Sequence, residues 1–495
     1  HSIIMTGSIP VFMKPTRNHF GIIGPIPKSE FEPEAIKAKI RANPLLKHID
    51  PDKVRPRLMT LTQSTYDGVL YNTETIKTML DGYVDALHFD EAWLPHAAFH
   101  PFYGAFHAMG KKRARPKESL VYATQSIHKL LAGLSQASHV LVQDAQNRKL
   151  DPHLFNEAYL MHTSTSPQYS IIASCDVAAA MMEPPGGTAL VEESIAEAID
   201  FRRAMRKVQE EYGKDDWWFK VWGPEKLVEE GIGRSEAWML KGESRSAKNG
   251  ENRTRNWHGF GDLAEGFNML DPIKATIVTP GMDLNGKFAK TGIPASIVTK
   301  FLAEHGVIVE KTGLYSFFIL FTIGITKGRW NTLLTALQQF KDDYARNQPM
   351  WKILPEFCQK HKRYERMGLA DLCQHVHQLY AKYDIARLTT EMYLSDLTPA
   401  MKPSDAFAHI AHRTTERVEI DKLEGRITTS LVTPYPPGIP LLIPGEVFNK
   451  KIVDYLKFAR ELSEKAPGFE TDIHGLVELE DEDGKKRYFA DCVRG

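Results

Sequence analysis

The chain has few cysteines, and none of them are closely spaced. Only Cys175, Cys358, Cys373 and Cys492 occur among its 495 residues, and no two form a Cys-x-x-Cys pair. This spacing argues against a disulfide scaffold and against a cysteine zinc site. It fits a reducing, cytoplasmic compartment.

Net charge and long apolar runs are also missing. The 62 basic and 62 acidic residues cancel, so the chain has no global basic field that would attract nucleic acid. No apolar run reaches the roughly 18 residues of a membrane helix. We therefore expect neither nucleic acid nor a membrane as a partner. The composition is that of globular domains, and the length suggests about three of them.

Apolar strand-like runs alternate with helical stretches over residues 1–183. The strand candidates are residues 58–62, 86–90, 120–123 and 139–142. This alternation predicts an α/β fold with a mostly parallel sheet and helices on both faces. The breaker Pro-Pro-Gly-Gly at 184–187 marks a boundary.

Two further regions follow this boundary. Residues 184–347 begin with a long amphipathic helix, and 276–279 and 307–310 read as strands of a smaller α/β domain. The polar stretch 241–256 reads as a loop. From about 348 the helical periodicity weakens and prolines cluster, above all in 434–440, which we expect to be rigid and extended. We assign 348–495 to a third domain.

Lys129 lies in a setting that is unusual for a solvated amine. It follows the apolar run 120–123 and stands among Ser126, His128 and two leucines. Burial disfavours the ammonium form, lowers the lysine pKa and frees the amine as a nucleophile. Such a lysine can form a Schiff base, above all with the aldehyde of pyridoxal phosphate. The alternative is a lysine that only extends its apolar stem at the end of a strand.

A second strand candidate ends at the acidic pair Asp90 and Glu91. Ligands of open α/β sheets lie beyond the carboxyl ends of the strands. A carboxylate at that place can hold a protonated pyridine nitrogen, so Asp90 and Lys129 could serve one cofactor. A helix cap or loop carboxylate is the alternative interpretation.

A histidine-rich segment offers a competing metal site. His96 and His100 have the i, i+4 spacing that can bind zinc on a helix. However, Pro95 and Pro101 interrupt this helix, and no third ligand has metal-site spacing. We therefore expect no metal.

Four long runs, in order, resemble the bacterial inducible ornithine/lysine/arginine decarboxylases. They are HFDEAW, TQSIHKLLAGLSQAS, FNEAYLMHTSTSPQYSIIAS and YPPGIPLLIPGE. That family consists of pyridoxal-phosphate enzymes with the aspartate-aminotransferase fold. The resemblance implies that 1–183 are the C-terminal part of the cofactor-binding large domain. Residues 184–347 would then form the small domain, and 348–495 a C-terminal α+β decarboxylase domain.

The resemblance also implies a cofactor-binding set. Lys129 would hold pyridoxal 5'-phosphate covalently, Asp90 would pair with its ring nitrogen, and Ser126 would contact its phosphate. Trp93 would lie beside the cofactor and the substrate. Ser164 would reach the phosphate of the neighbouring subunit, because the family's sites lie at a dimer interface; its dimers can assemble into decamers.

Catalysis and substrate choice follow from the same resemblance. His128 would lie beside the cofactor, and either Lys129 or His128 would protonate the α-carbon. Glu310, in the run VIVEKTG, would hold the distal ammonium of the substrate. We therefore expect α-decarboxylation of a basic L-amino acid, lysine first, with arginine or ornithine behind it. Two further functions stay open, a pyridoxal-phosphate aminotransferase and a non-catalytic protein that binds a partner.

Two departures from the family pattern stand out. Ile127 replaces the threonine of a usual Ser-Thr-His-Lys run, which removes a hydroxyl beside Lys129. Family members also carry a flavodoxin-like wing domain, a linker and a first half of the cofactor domain with a stacking histidine. We expect these parts to precede His1 and to lie outside this chain.

Overall fold

The structure is a computed structural model that describes residues 1–110, 114–213, 215–224, 235–241, 257–435, 438–480 and 486–495. The predicted loop 241–256 lies outside the described residues except for its first residue. The helices are α1 (Ser2–Thr6), α2 (Pro33–Ala42), α3 (Thr73–Leu80), α4 (Ile127–Leu130), α5 (Pro152–His162), α6 (Tyr169–Met181), α7 (Gly186–Tyr212), α8 (Ala295–Glu304), α9 (Lys327–Ala345), α10 (Met350–Ile353), α11 (Pro355–Lys360), α12 (Leu369–Lys382), α13 (Ile385–Leu394), α14 (Pro403–Ala411) and α15 (Lys450–Lys465).

The strands form three main sheets and two short pairs. Their bounds are β1 (Leu58–Thr62), β2 (Val69–Tyr71), β3 (Ala86–Asp90), β4 (Leu120–Ser126), β5 (Ser138–Gln143), β6 (Lys220–Val221), β7 (Asn268–Leu270), β8 (Lys274–Val278), β9 (Lys311–Thr312), β10 (Ser316–Leu320), β11 (Thr415–Glu419), β12 (Thr433–Tyr435), β13 (Asp472–His474), β14 (Leu476–Glu480) and β15 (Lys486–Val493). No helix within the described ranges is long and apolar enough to cross a membrane.

The first sheet has the order β1-β3-β4-β5. β1, β3 and β4 are parallel, and β5 runs antiparallel to β4 at one edge. All four predicted strands of this region are confirmed, and β4 continues to Ser126, three residues beyond its predicted end. Alternate residues such as Leu87 and Phe89 are buried against Ile36 of α2 and Ile76 of α3. The carboxyl ends of β3 and β4 therefore meet at one edge of the sheet.

The second sheet has the order β6-β8-β10-β9, and its strand pairs are antiparallel. Our prediction of a strand over 307–310 was wrong. The Val307 amide donates to the Leu302 carbonyl at the end of α8 (2.8 Å), and Ile308 is 80% exposed. Pairing with β10 begins only at Glu310, whose amide donates to the Phe318 carbonyl (3.0 Å). Glu310 therefore comes before a strand and does not end one.

The third region is richer in helices than we predicted. Helices α10 to α15 all lie beyond residue 348, so the expected loss of helical structure was wrong. Within this region Pro355 and Pro403 occupy the first turn of α11 and α14. Proline is well tolerated there, because the first amides of a helix have no partner within it. Of the proline-rich segment 434–440, the described part includes β12, which is extended as predicted.

A buried lysine links the second sheet to the first. Lys274 begins β8, and its side chain is fully buried. Its Nζ donates to the Trp93 carbonyl (2.8 Å) and to the Ser64 hydroxyl, both of which belong to the first region. The same Nζ lies 3.4 Å from the carboxylate of Asp271. An ammonium in this position is stabilised because several partners replace its water.

The other side of Asp271 is also occupied. Tyr103 donates to its Oδ1 (2.9 Å), and His96 Nε2 lies 3.3 Å from its Oδ2. The pKa of Asp271 is lowered by the nearby Lys274 and by these hydrogen bonds, although burial opposes that shift. Lys274 and Asp271 are therefore ionised partners inside the protein.

Arg202 of helix α7 supports the same strand. It is buried, and its guanidinium donates to the carbonyls of Trp222 (2.9 Å), Pro272 (3.4 Å) and Lys274 (2.9 Å). Burial lowers the pKa of Arg202 to about 9. One guanidinium thus donates to three buried backbone carbonyls from two segments of the chain.

We expect Arg202→Met to lower the free energy of unfolding by about 3 kcal/mol, because three buried carbonyls lose their donor. Urea denaturation of both proteins measures this difference. Arg203→Met is the matched control, since the neighbouring Arg203 is partly exposed and pairs with Asp200 on the surface. Equal effects of the two variants would contradict a special role of Arg202.

A second prediction concerns pH. Burial lowers the pKa of Lys274 to about 8 in the folded protein, whereas an unfolded lysine has a pKa of about 10.4. Between about pH 8 and pH 10 the unfolded chain therefore binds more protons, so this residue's contribution to stability rises with pH. We expect the stability of the wild type relative to Lys274→Met to increase over that range.

Urea denaturation of both proteins at about pH 7.5 and about pH 10 measures this change, and the other titrating groups cancel in the difference. Lys220→Met, at an exposed position of β6, controls for the loss of any lysine. A difference that stays constant with pH would show that Lys274 keeps an ordinary pKa.

Candidate functional site

Lys129 lies one turn beyond the carboxyl end of β4. The strand ends at Ser126, and the short helix α4 carries Lys129 back towards the end of β3. The side chain is half-buried, and its Nζ lies 4.9 Å from the centroid of the Trp93 ring. Burial lowers the pKa of Lys129, while the charges of Asp90 and Glu310 oppose that shift. The amine is therefore partly desolvated and lies within electrostatic reach of two carboxylates.

Asp90 is the last residue of β3 and lies beside Thr62 of β1 and Thr124 of β4 in the register. Its Oδ1 accepts a hydrogen bond from the Ala92 amide (3.1 Å). This bond leaves room on the carboxylate for a further donor. The predicted meeting of Asp90 and Lys129 is supported by their electrostatic contact.

The side chain of Glu91, the next residue, points into the protein interior. It is fully buried and accepts hydrogen bonds from Gln125 Nε2 (2.8 Å) and from the Ala108 amide (2.5 Å). The two adjacent carboxylates thus have different surroundings. Glu91 connects β3 to β4, whereas Asp90 remains on the side of Lys129.

Trp93 lies at the centre of an aromatic cluster. Its ring centroid lies 5.1 Å from that of Tyr66 and 6.3 Å from that of Phe318. Its carbonyl accepts the hydrogen bond from Lys274, and its ring faces Lys129. The positive charge of Lys129 contributes to the lowered pKa of Lys274, after burial as the main cause. Lys129 therefore lies against the ring of Trp93, and Lys274 is bonded to its backbone carbonyl.

Glu310 and Lys311 lie next to this cluster but point to different partners. Lys311 is buried, and its Nζ forms an ion pair with Asp67 (2.6 Å). Glu310 is exposed, and its charge acts on both Lys129 and Tyr66. The structure thus brings together Lys129, Asp90, Trp93 and Glu310, although Glu310 does not lie at the end of a strand.

Of the remaining predicted residues, His128 and Ser164 have local partners. His128 is half-buried and forms a hydrogen bond through Nδ1 with the Ala137 carbonyl (2.9 Å). Ser126 precedes α4 without a side-chain capping bond. Ser164 is exposed between α5 and α6, where its hydroxyl accepts from the Ser166 amide (3.1 Å). These contacts neither support nor contradict the roles that we predicted for these three residues.

The two histidines proposed as metal ligands bind different partners. His96 Nε2 forms a hydrogen bond with the Tyr103 hydroxyl (2.9 Å), whereas His100 pairs with Glu192 of α7. Their segment forms short 3₁₀ turns, because proline interrupts a regular helix. In the part of the chain that the structure describes, no group of three His, Cys, Asp or Glu residues could hold a metal ion.

Sequence reasoning missed Lys274, Tyr66 and Phe318. The signal for Lys274 is a lysine three residues after Asp271, directly before the apolar run of β8. Charged residues at such a place usually mark the solvated end of a strand. Only the packing of β8 against Trp93 and Ser64 shows that this lysine is buried.

The chain matches two family models. "Orn/Lys/Arg decarboxylase, major domain" matches residues 1–329, and "Orn/Lys/Arg decarboxylase, C-terminal domain" matches residues 386–494. Lysine decarboxylase LdcA of Pseudomonas aeruginosa is 47% identical over all of this chain and 64% of its own length. The inducible lysine decarboxylase of Escherichia coli is 39% identical over 97% of this chain and 63% of its own length.

Solved structures of lysine decarboxylases are also similar to this chain. Lysine decarboxylase A from Pseudomonas aeruginosa superposes with a TM-score of 0.92, covering 100% of this chain and 64% of that one. The Francisella novicida lysine decarboxylase LdcF superposes with a TM-score of 0.87 at 36% identity, covering 99% and 64%. These neighbours confirm the predicted α/β fold of the aspartate-aminotransferase type. The chain spans about 64% of the relatives' length, and it belongs to the Orn/Lys/Arg decarboxylase family.

Proposed function

We propose that this chain carries the catalytic lysine of a pyridoxal-phosphate-dependent decarboxylase of basic L-amino acids, with L-lysine as the substrate. The observation that carries the proposal is the half-buried amine of Lys129 within reach of the carboxylates of Asp90 and Glu310. The relatives support the choice of lysine. Lysine decarboxylases reach 47% identity, whereas an arginine decarboxylase reaches 37% and an ornithine decarboxylase 30%.

The side chains at this edge of the sheet fit pyridoxal 5'-phosphate. An amine freed by burial is the group that binds its aldehyde, and a carboxylate at a neighbouring strand end suits its ring nitrogen. Trp93 provides an apolar wall beside Lys129. When bound, this cofactor supplies an electron sink for the negative charge that is left when CO2 departs.

The protein's own groups then have distinct tasks. Asp90 keeps the proton on the ring nitrogen, because a carboxylate favours the positive form of its partner. Lys129 or His128 delivers a proton to the α-carbon. Trp93 and Tyr66 restrict the access of water beside Lys129, and Glu310 pairs with the distal ammonium of the substrate.

The complete site includes more than these residues. In our proposal the enzyme is a homodimer, and Ser164 contributes to the phosphate site of the neighbouring subunit, with Ser126 serving the site of its own subunit. The exposed position of Ser164 between α5 and α6 supports this assignment. We also propose that residues 1–183, 184–347 and 348–495 correspond to large, small and C-terminal domains.

Lys129→Ala should lower CO2 release from L-lysine at least about a hundredfold, because the cofactor loses its covalent partner and a proton donor is removed. The assay uses the full-length protein saturated with cofactor. Lys149→Ala is the control, since Lys149 is exposed in the same region. Full activity of Lys129→Ala would refute the assignment, and formation of a keto acid in place of CO2 by the wild type would indicate an aminotransferase.

Glu310→Gln should lower kcat/KM for L-lysine by about tenfold or more, because a charge-assisted contact with the distal ammonium becomes a neutral one. Binding of pyridoxal phosphate, followed by its absorbance, should change less than about twofold, since Glu310 contacts the substrate side only. If cofactor binding and turnover fall by the same factor, Glu310 does not contact the distal amine.

A further inference from the structure

A cavity lies where residues from all three regions of the chain meet, and its lining does not include Lys129, Asp90 or Trp93. Its volume is about 250 Å³, and its walls come from residues 17–21, α8, the β9–β10 hairpin, α13, α15 and the segment 468–471. Aromatic rings supply much of this wall, namely Phe20, Tyr380, Tyr393, Tyr455, Phe458 and Phe469. The space is therefore apolar and small.

Lys300 of α8 presents a positive charge to this cavity. Its Nζ lies 5.3 Å and 5.6 Å from the ring centroids of Phe357 and Phe469. Within the described ranges it has no hydrogen-bond acceptor and no carboxylate at ion-pair distance. Burial lowers the pKa of Lys300, and the charge of Glu470 only opposes this shift from a distance. Glu470 also lines the cavity, where its carboxylate accepts a hydrogen bond from the Gly468 amide.

Arg17 is the second cation on the same cavity. Its guanidinium carbon lies 3.9 Å from the centroid of the Tyr393 ring, and one Nη donates to the Gly21 carbonyl (3.2 Å). Its Nε is buried and has no hydrogen-bond partner. Within the described part of the chain, no carboxylate lies at ion-pair distance from it. The nearby Asp67 is instead paired with Lys311 (2.6 Å).

Two cations without a carboxylate partner therefore face one cavity with aromatic walls. Partly buried cations are normally paired, because their lost hydration has to be replaced. We propose that this cavity binds a small organic carboxylate with a single ring, its carboxylate held by Lys300 and Arg17 and its ring against the aromatic side chains. The volume is enough for a ligand with one ring.

The same charges separate this ligand from the amino acid that we propose as substrate. A basic amino acid has one carboxylate but two cationic groups, so its net charge is positive and Lys300 and Arg17 favour a monoanionic acid over it. The cavity is thus a site for a different class of molecule, and its existence does not depend on the proposed decarboxylation.

The test is a calorimetric titration of the full-length protein with phenylacetate and with its neutral analogue phenylacetamide. We expect saturable phenylacetate binding that is at least about tenfold tighter than binding of the amide, because only the acid makes charge-assisted hydrogen bonds. Lys300→Met should weaken phenylacetate binding about tenfold and leave amide binding unchanged, which also shows that the cavity remains folded. Arg17→Met should produce a similar loss.

Lys360→Met is the matched control, because the exposed Lys360 contributes to the electrostatic surroundings of Lys300 without lining the cavity. It should leave phenylacetate binding within about twofold of the wild type. The proposal is overturned if phenylacetate does not bind, if acid and amide bind equally, or if Lys300→Met has no effect. It is also overturned if Lys129→Ala abolishes phenylacetate binding, since the acid would then occupy the site at Lys129.

Discussion

The buried ion pair of Lys274 and Asp271 is the constraint on which the site depends. Lys274 starts a strand of the second sheet, yet its ammonium donates to the Trp93 carbonyl and the Ser64 hydroxyl of the first region. A charge in this position tolerates few other packings, because each lost partner leaves a buried group unsatisfied. The relative position of the two sheets is thereby fixed where the strand ends of the first sheet meet.

This constraint reaches Lys129 through Trp93. The backbone of Trp93 is held by Lys274, and its ring lies against Lys129 and Tyr66. The amine of Lys129 therefore lies beside an aromatic ring whose backbone is held in place by a second lysine. The function that we propose for Lys129 needs such a rigid surface, because its chemistry tolerates little displacement.

The sequence was sufficient to predict those residues of the site that lie at the strand ends of the first sheet. Asp90 and Lys129 could be paired because parallel strands place their carboxyl ends at one edge. Lys274 could not be predicted, since its burial depends on the docking of β8 against residues almost two hundred positions away. The helices after 348 were missed because the proline cluster at 434–440 was taken as typical of the whole region, whereas α10 to α15 lie outside it. Glu310 was assigned to the end of a strand that does not form, since Val307 instead closes α8.

The acidic pair at the end of β3 limits which insertions, deletions and substitutions this strand can accept. Asp90 lies towards Lys129, and Glu91 is bonded to Gln125 and Ala108 inside the protein. Successive residues of a strand point to opposite faces, so a shift of one position would move each of these two side chains to the other face. A shift in one direction would bring Glu91 to face Lys129, whereas a shift in the other direction would place the shorter side chain of Asp90 towards Gln125. An insertion or deletion within β3 would therefore damage chemistry and scaffold together, whereas point substitutions can affect each of them separately.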